Sequence, residues 1–211
     1  MKNTLTGIFG HKGSGKTYHA MAAFRASRRA IAFDTLGEYR AGLVTDSRKD
    51  LLDFVEKNKT FRVAFKPGTG AQLISDFNFA ADAVYELGDC DFYVEEIDYF
   101  CAPNFNEPGL DKLIRYGRHR GINVIYTARR FQEVSRHLTA QSDVFVMFRI
   151  AEPVDLDAIR KRFGRKISQK IRHQKGHEST RIVVEEFEYE PEETGDSGSV
   201  RDSAGVVAAT A

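Results

Sequence analysis

Leu5-Thr6-Gly7-Ile8-Phe9-Gly10-His11-Lys12-Gly13-Ser14-Gly15-Lys16-Thr17 joins a short apolar run to a glycine-rich stretch of the form G-x-x-x-x-G-K-[ST]. The apolar run is of strand type. Tyr18 to Arg25 after it combines good helix formers with an apolar stripe, so the glycine-rich stretch lies between a strand and a helix. In that context the pattern is a phosphate-binding loop. Glycine allows the tight turns with positive φ that point successive N–H groups at phosphate oxygens beside a helix N-terminus. Gly10, His11, Lys12, Gly13, Ser14, Gly15, Lys16 and Thr17 are therefore the expected nucleotide-binding residues. Lys16 would reach the β- and γ-phosphates, and the Thr17 hydroxyl would ligate Mg²⁺.

Outward from the loop, strand and helix patterns alternate. Residues 30–34, 60–65, 91–98, 122–127 and 144–149 read as strands. Residues 47–59, 72–87, 111–120 and 133–139 read as helices, and 180–187 as a final strand at a sheet edge. That alternation predicts an α/β fold with a mainly parallel central sheet and helices on both faces. A length of 211 residues suits one such domain, expected over 1–189, with a basic segment at 155–177 appended to its C-terminal part. Residues 190–211 are acidic and then rich in Ser, Gly and Ala, and are expected to form a disordered tail.

Composition narrows the function classes. A formal net charge of +1 with 29% charged residues describes neither a basic nucleic-acid coat nor an acidic solvating chain, so any nucleic-acid surface must be local. Cys90 and Cys101 have no metal-like spacing and follow no signal peptide; both read as buried small hydrophobes in a reducing cytoplasm. The longest apolar run, 144–150, contains Arg149 and falls short of the roughly 20 residues of a membrane span.

The chemistry-bearing residues fall at strand and helix ends. The strand 91–98 runs into Glu95-Glu96, and in a phosphate-loop enzyme it is expected beside the loop's own strand. Glu95 then meets Mg²⁺ through water while Glu96 orients and deprotonates the attacking water. Asp34 and Glu38 either sit beside the nucleotide or cap a loop. Arg115, Arg118 and Arg120 crowd one helix end. They suit the helix dipole there, but exceed what a cap needs; the functional reading is an arginine that crosses to a neighbouring subunit's γ-phosphate, with Arg118 the first candidate. Such a finger implies a ring. Arg129 follows the strand 122–127 on the γ-phosphate side. In the basic segment, Arg160, Lys161, Arg165, Lys166, Lys170 and Arg172 form either a sequence-independent DNA contact or a solvated face around a helix stopped by Gly164. His173 and His177 are four apart, but Gly176 lies between them and no further Cys or His partner is near, which argues against zinc.

These motifs together resemble the HerA/FtsK superfamily of DNA-pumping ATPases, and within it the small genome-packaging ATPases of tailless, often membrane-containing double-stranded DNA viruses. The carrying stretches are GHKGSGKT, FDTLGEY, FYVEEID and RYGRHRGINVIYTARRFQEVSRHLTAQSDVFVMFR, within residues 5–163. The chain departs from the superfamily in three places: Arg129 stands where many members carry a sensor glutamine, Phe131 where they carry proline, and Glu95 where aspartate is commoner. Arg129 can sense the γ-phosphate by charge or act as an additional finger. The resemblance implies a RecA-like three-layer domain, ATP and Mg²⁺ as cofactors, a ring of hexameric or similar order, and double-stranded DNA in its channel. It also implies packaging or capsid-vertex partners, in the infected host cytoplasm or on the virion. An assembly or export ATPase of the zonular-occludens-toxin type is the alternative, although such proteins typically add a membrane span and a periplasmic domain. A small-molecule phosphotransferase would need an acceptor site and lid.

Overall fold

The computed structural model describes residues 3–187, so the expected tail at 190–211 and the last residues of the expected domain lie outside the described residues. The chain runs β1 (Leu5–Phe9), α1 (Lys16–Ala26), β2 (Arg29–Phe33), β3 (Leu43–Thr45), α2 (Arg48–Lys57), β4 (Phe61–Phe65), α3 (Ala71–Leu87) and β5 (Asp91–Val94). It continues through β6 (Cys101–Ala102), β7 (Phe105–Asn106), α4 (Pro108–Tyr116), β8 (Asn123–Ala128), α5 (Arg136–Gln141), β9 (Val144–Phe148), α6 (Pro153–His173) and β10 (Ser179–Val183). Eight strands form one sheet in the order β10-β9-β1-β8-β5-β2-β4-β3, and β6 and β7 pair as a separate hairpin. Every pairing in the large sheet is parallel except β9 with β10. The sequence reading of a mainly parallel sheet with an edge strand at the C-terminal end therefore holds.

Side-chain alternation divides the core into two layers. Ile8, Ala30, Ala32, Ala64, Tyr93, Val146 and Phe148 face one side with Ala20 and Phe24 of α1. Phe9, Ile31, Phe33, Val63, Phe65, Phe92 and Phe145 face the other, under apolar residues of α2 to α6. Small alanines of β2 and β4 share the first face with the Phe24, Tyr39 and Tyr93 rings. The aromatic second face needs more cover, and Phe77 and Phe100 stack there with centroids 3.9 Å apart. Helices thus cover both faces, unequally. Both cysteines are buried and unpaired, as the composition suggested.

Several expected boundaries move for local reasons. β5 ends at Val94 rather than 98, because Glu96 adopts φ 50 and starts a 3-10 turn over Ile97–Tyr99. The helix expected at 133–139 begins at Arg136, where the Ser135 side chain accepts a hydrogen bond from the Leu138 N–H. Gly164, at φ 81 and ψ 167, interrupts α6 but the helix resumes beyond it in a new direction. β3 and the β6–β7 hairpin went unpredicted, since strands of two or three residues show no periodicity. Asp155 in the first turn of α6 is fully buried and accepts from Arg130 Nε at 2.6 Å and the Gln132 N–H at 3.0 Å. It ties the segment after β8 to α6.

Candidate nucleotide site

Between β1 and α1 the loop takes the shape its glycines permit, with Gly13 at φ 77 and Gly15 at φ 104. Gly15 caps α1 without a side-chain hydrogen bond, and the first turn holds no acidic residue. The N–H groups of that turn are therefore available to an anion. Lys16 Nζ folds back on the loop, donating to the carbonyls of Gly10 at 2.7 Å and His11 at 3.1 Å. Burial holds its pKa below the usual lysine value, with Glu95 opposing. The buried Ser14 hydroxyl has no partner among the described residues. Together with Thr17, Glu38, Glu95, Glu96, Arg129 and His177, the loop lines a cavity of about 590 Å³. That volume suits a nucleotide.

The register of the sheet sets the opposing wall. Phe9 lies level with Ala128, so the residues after β8 stand beside the loop that follows β1. β8 separates β1 from β5, which corrects the expectation that the acidic strand would neighbour the loop's own. The acids still reach the loop because Thr127 of β8 bridges. Its hydroxyl donates to Glu95 Oε2 at 3.3 Å and accepts the Glu96 N–H at 3.1 Å. Glu95 is 1% exposed and accepts from Thr17 Oγ1 at 3.2 Å and from Tyr39 Oη at 3.1 Å. Burial pushes its pKa up to about 6, against the pull of these hydrogen bonds. Glu96 pairs instead with Arg129 Nη2. Asp98 also faces this region, its pKa raised by burial.

The two readings of Asp34 and Glu38 divide cleanly. Asp34 is buried and accepts from the N–H groups of Glu38 and Tyr39, so it caps the loop after β2. Glu38 lines the cavity. Tyr39 packs edge-on against Phe24 with centroids 5.0 Å apart, which places its hydroxyl at Glu95. Sequence reading assigned no role to Tyr39, Thr127 or His177. Tyr39 ends the stretch FDTLGEY and Thr127 lies in GINVIYTARR, both carriers of the resemblance, but no local pattern ties either residue to Glu95.

Against solved structures, the chain is similar to the genome packaging NTPase B204 from Sulfolobus turreted icosahedral virus 2 in complex with sulfate, at TM-score 0.71 and 20% identity over 88% of this chain and 93% of that chain. The same protein in complex with AMP matches at TM-score 0.69 and 18% identity, over 88% and 94% of the two chains. B204, the DNA-packaging ATPase from Sulfolobus turreted icosahedral virus, matches at TM-score 0.67 and 20% identity over 88% and 95%. The chain has the fold of these NTPases. No protein-family model and no curated protein matches it.

Within this fold, the arginine cluster lies far from the cavity. Arg118 precedes β8, whose six residues put about 20 Å between its ends, and the cavity is at the other end. Arg115 pairs with Asp111 at 2.6 Å, and Arg120 donates to the carbonyls of Tyr85 and Glu86. The exposed Arg118 guanidinium has no partner among the described residues. In the basic segment, Arg160 and Lys161 both pair with Asp157. Arg160, Arg165 and Arg172 flank a groove of about 330 Å³ at the Gly164 kink, while Lys170 is exposed beyond it. Arg162 turns inward over the Phe145 and Phe163 rings. His173 bonds to the Gln169 carbonyl and His177 to that of Ser14, so the two histidines do not share a ligand.

Proposed function

We propose that the protein is an ATP-hydrolysing subunit of a ring motor that drives double-stranded DNA into a viral capsid. The observation that carries this reading is one cavity in which a phosphate loop faces Glu95 on Thr17 and Glu96 on Arg129. Lys16 exchanges the loop carbonyls for the β- and γ-phosphates, and the free N–H groups of the first turn of α1 hold the remaining oxygens. Thr17 Oγ1 and Glu95 Oε2, 3.2 Å apart, are hard oxygen donors that fit Mg²⁺, Glu95 acting through water. The bound ion would supply charge neutralisation between phosphate oxygens. Glu96 orients the attacking water and takes its proton, which requires it to leave Arg129; the arriving γ-phosphate offers Arg129 an alternative anion.

Arg118 cannot serve its own cavity and is proposed to complete that of the adjacent subunit. Arg160, Lys161, Arg165, Lys166, Lys170 and Arg172 are the proposed contacts to DNA phosphates, and a capsid vertex in the infected cell's cytoplasm is the proposed place of action. The test is the ATPase rate with and without duplex DNA, measured beside the oligomeric mass. Lys16→Ala is expected to abolish turnover. Glu96→Gln is expected to lower it about 100-fold or more while ATP still binds. Full activity in a strict monomer, or indifference to duplex DNA, would overturn the ring-motor reading; the latter result favours the export alternative.

A further inference from the structure

We infer that His177 reads the nucleobase in this cavity and selects a purine bearing a 6-amino group. The inference rests on the proposed triphosphate site and adds a specificity residue to it. Sheet order gives the cavity a direction. Glu95, Glu96 and Arg129 follow β5 and β8, on one side of β1. His177 comes from the turn before β10, which begins at Ser179 opposite Phe148, the last residue of β9, on the other side of β1. A triphosphate whose γ-phosphate meets Glu96 and whose middle lies on the Lys16 loop therefore directs its nucleoside toward His177.

The exposed His177 ring lies against the loop. His177 Nδ1 lies 3.1 Å from the Ser14 carbonyl oxygen, and a Cβ added at Gly15 would fall 3.1 Å from the same nitrogen. A carbonyl only accepts, so Nδ1 carries the proton and donates. In the neutral imidazole Nε2 is then an acceptor, and it has no partner among the described residues. An acceptor at that edge pairs with the exocyclic amino group of adenine. It leaves the 6-carbonyl of guanine or hypoxanthine facing a second acceptor.

Affinities of the full chain for ATP, inosine triphosphate, purine riboside triphosphate and inorganic tripolyphosphate at about pH 8 test this. Wild type is expected to bind ATP about tenfold more tightly than either the inosine or the purine riboside compound, the worth of one hydrogen bond. His177→Phe keeps a ring without the acceptor, so its ATP preference should disappear while tripolyphosphate binds as before. Equal wild-type affinity for all three nucleotides, with tripolyphosphate still bound, overturns the inference and leaves the phosphate site standing. Retention of the preference in His177→Phe overturns it equally. Failure of wild type to bind tripolyphosphate overturns the site itself. The wild-type comparison with purine riboside triphosphate decides the question even if the variant misfolds.

Discussion

Glu96 holds its position at φ 50, a left-handed backbone that costs a residue with a Cβ about 1–2 kcal/mol. The bend turns the carboxylate off the strand axis toward Arg129. Comparing Glu96→Gly with Glu96→Ala isolates that strain, because both lose the side chain. The glycine variant should be the more stable by about 1–2 kcal/mol in urea denaturation, the reverse of the usual order in regular structure; equal stabilities would remove the strain argument. Glu95 differs in kind, its carboxyl sitting at a folded-state pKa of about 6 against an ordinary 4.5 because of burial. The folded protein therefore takes up a proton before the unfolded chain as pH falls. Between about 6 and 4.5 wild type should gain up to about 2 kcal/mol relative to Glu95→Gln, in metal-free buffer. Above pH 6 the burial penalty is present in full. A flat difference across that window would show that Glu95 is not desolvated.

At the level of elements, the segment joining β8 to α5 and α6 is held by one pair with unequal exposure, Asp155 at 0% and Arg130 at 36%. Removing the arginine strands a buried charge, whereas removing the acid frees a cation that water can reach. Arg130→Ala should cost about 3–5 kcal/mol and Asp155→Ala about 1–3 kcal/mol, with chemical denaturation of both giving the order. The opposite order would mean that Asp155 is solvated. This pair shows where reading by pattern stops. The phosphate loop, the acidic strand end and the break at Gly164 were legible because each depends on local backbone chemistry. Asp155 lies 25 residues from Arg130, in a segment whose composition is basic. Tyr39 reaches Glu95 across 56 residues of chain, a contact no window of sequence contains.

For the whole molecule, the placement of the arginines bears on assembly. Arg118 is on the N-terminal edge of the sheet and the cavity on the C-terminal edge, so a role in hydrolysis requires a second subunit. Doping wild type with Arg118→Ala subunits should then depress ATPase rate more than in proportion to the fraction added. A strictly proportional fall would return Arg118 to the role of a helix-end cap. Arg115 and Arg120 are poorer candidates than the sequence allowed, since their guanidinium groups are engaged with Asp111 and with backbone carbonyls.

By itself the sequence determined the parts that arise from short-range chemistry: a strand, a glycine-shaped loop and a helix start, then carboxylates at a strand end. Those follow from local φ, hydrogen-bonding capacity and period. Which strand lies beside which was decided only in three dimensions. β8 inserts between β1 and β5 and brings Thr127 and Arg129 to the acids, while β10 returns antiparallel to β9 and carries His177 to the loop. The reason is that strand order depends on packing between residues far apart in the chain on both faces of the sheet, and that balance belongs to the whole sheet.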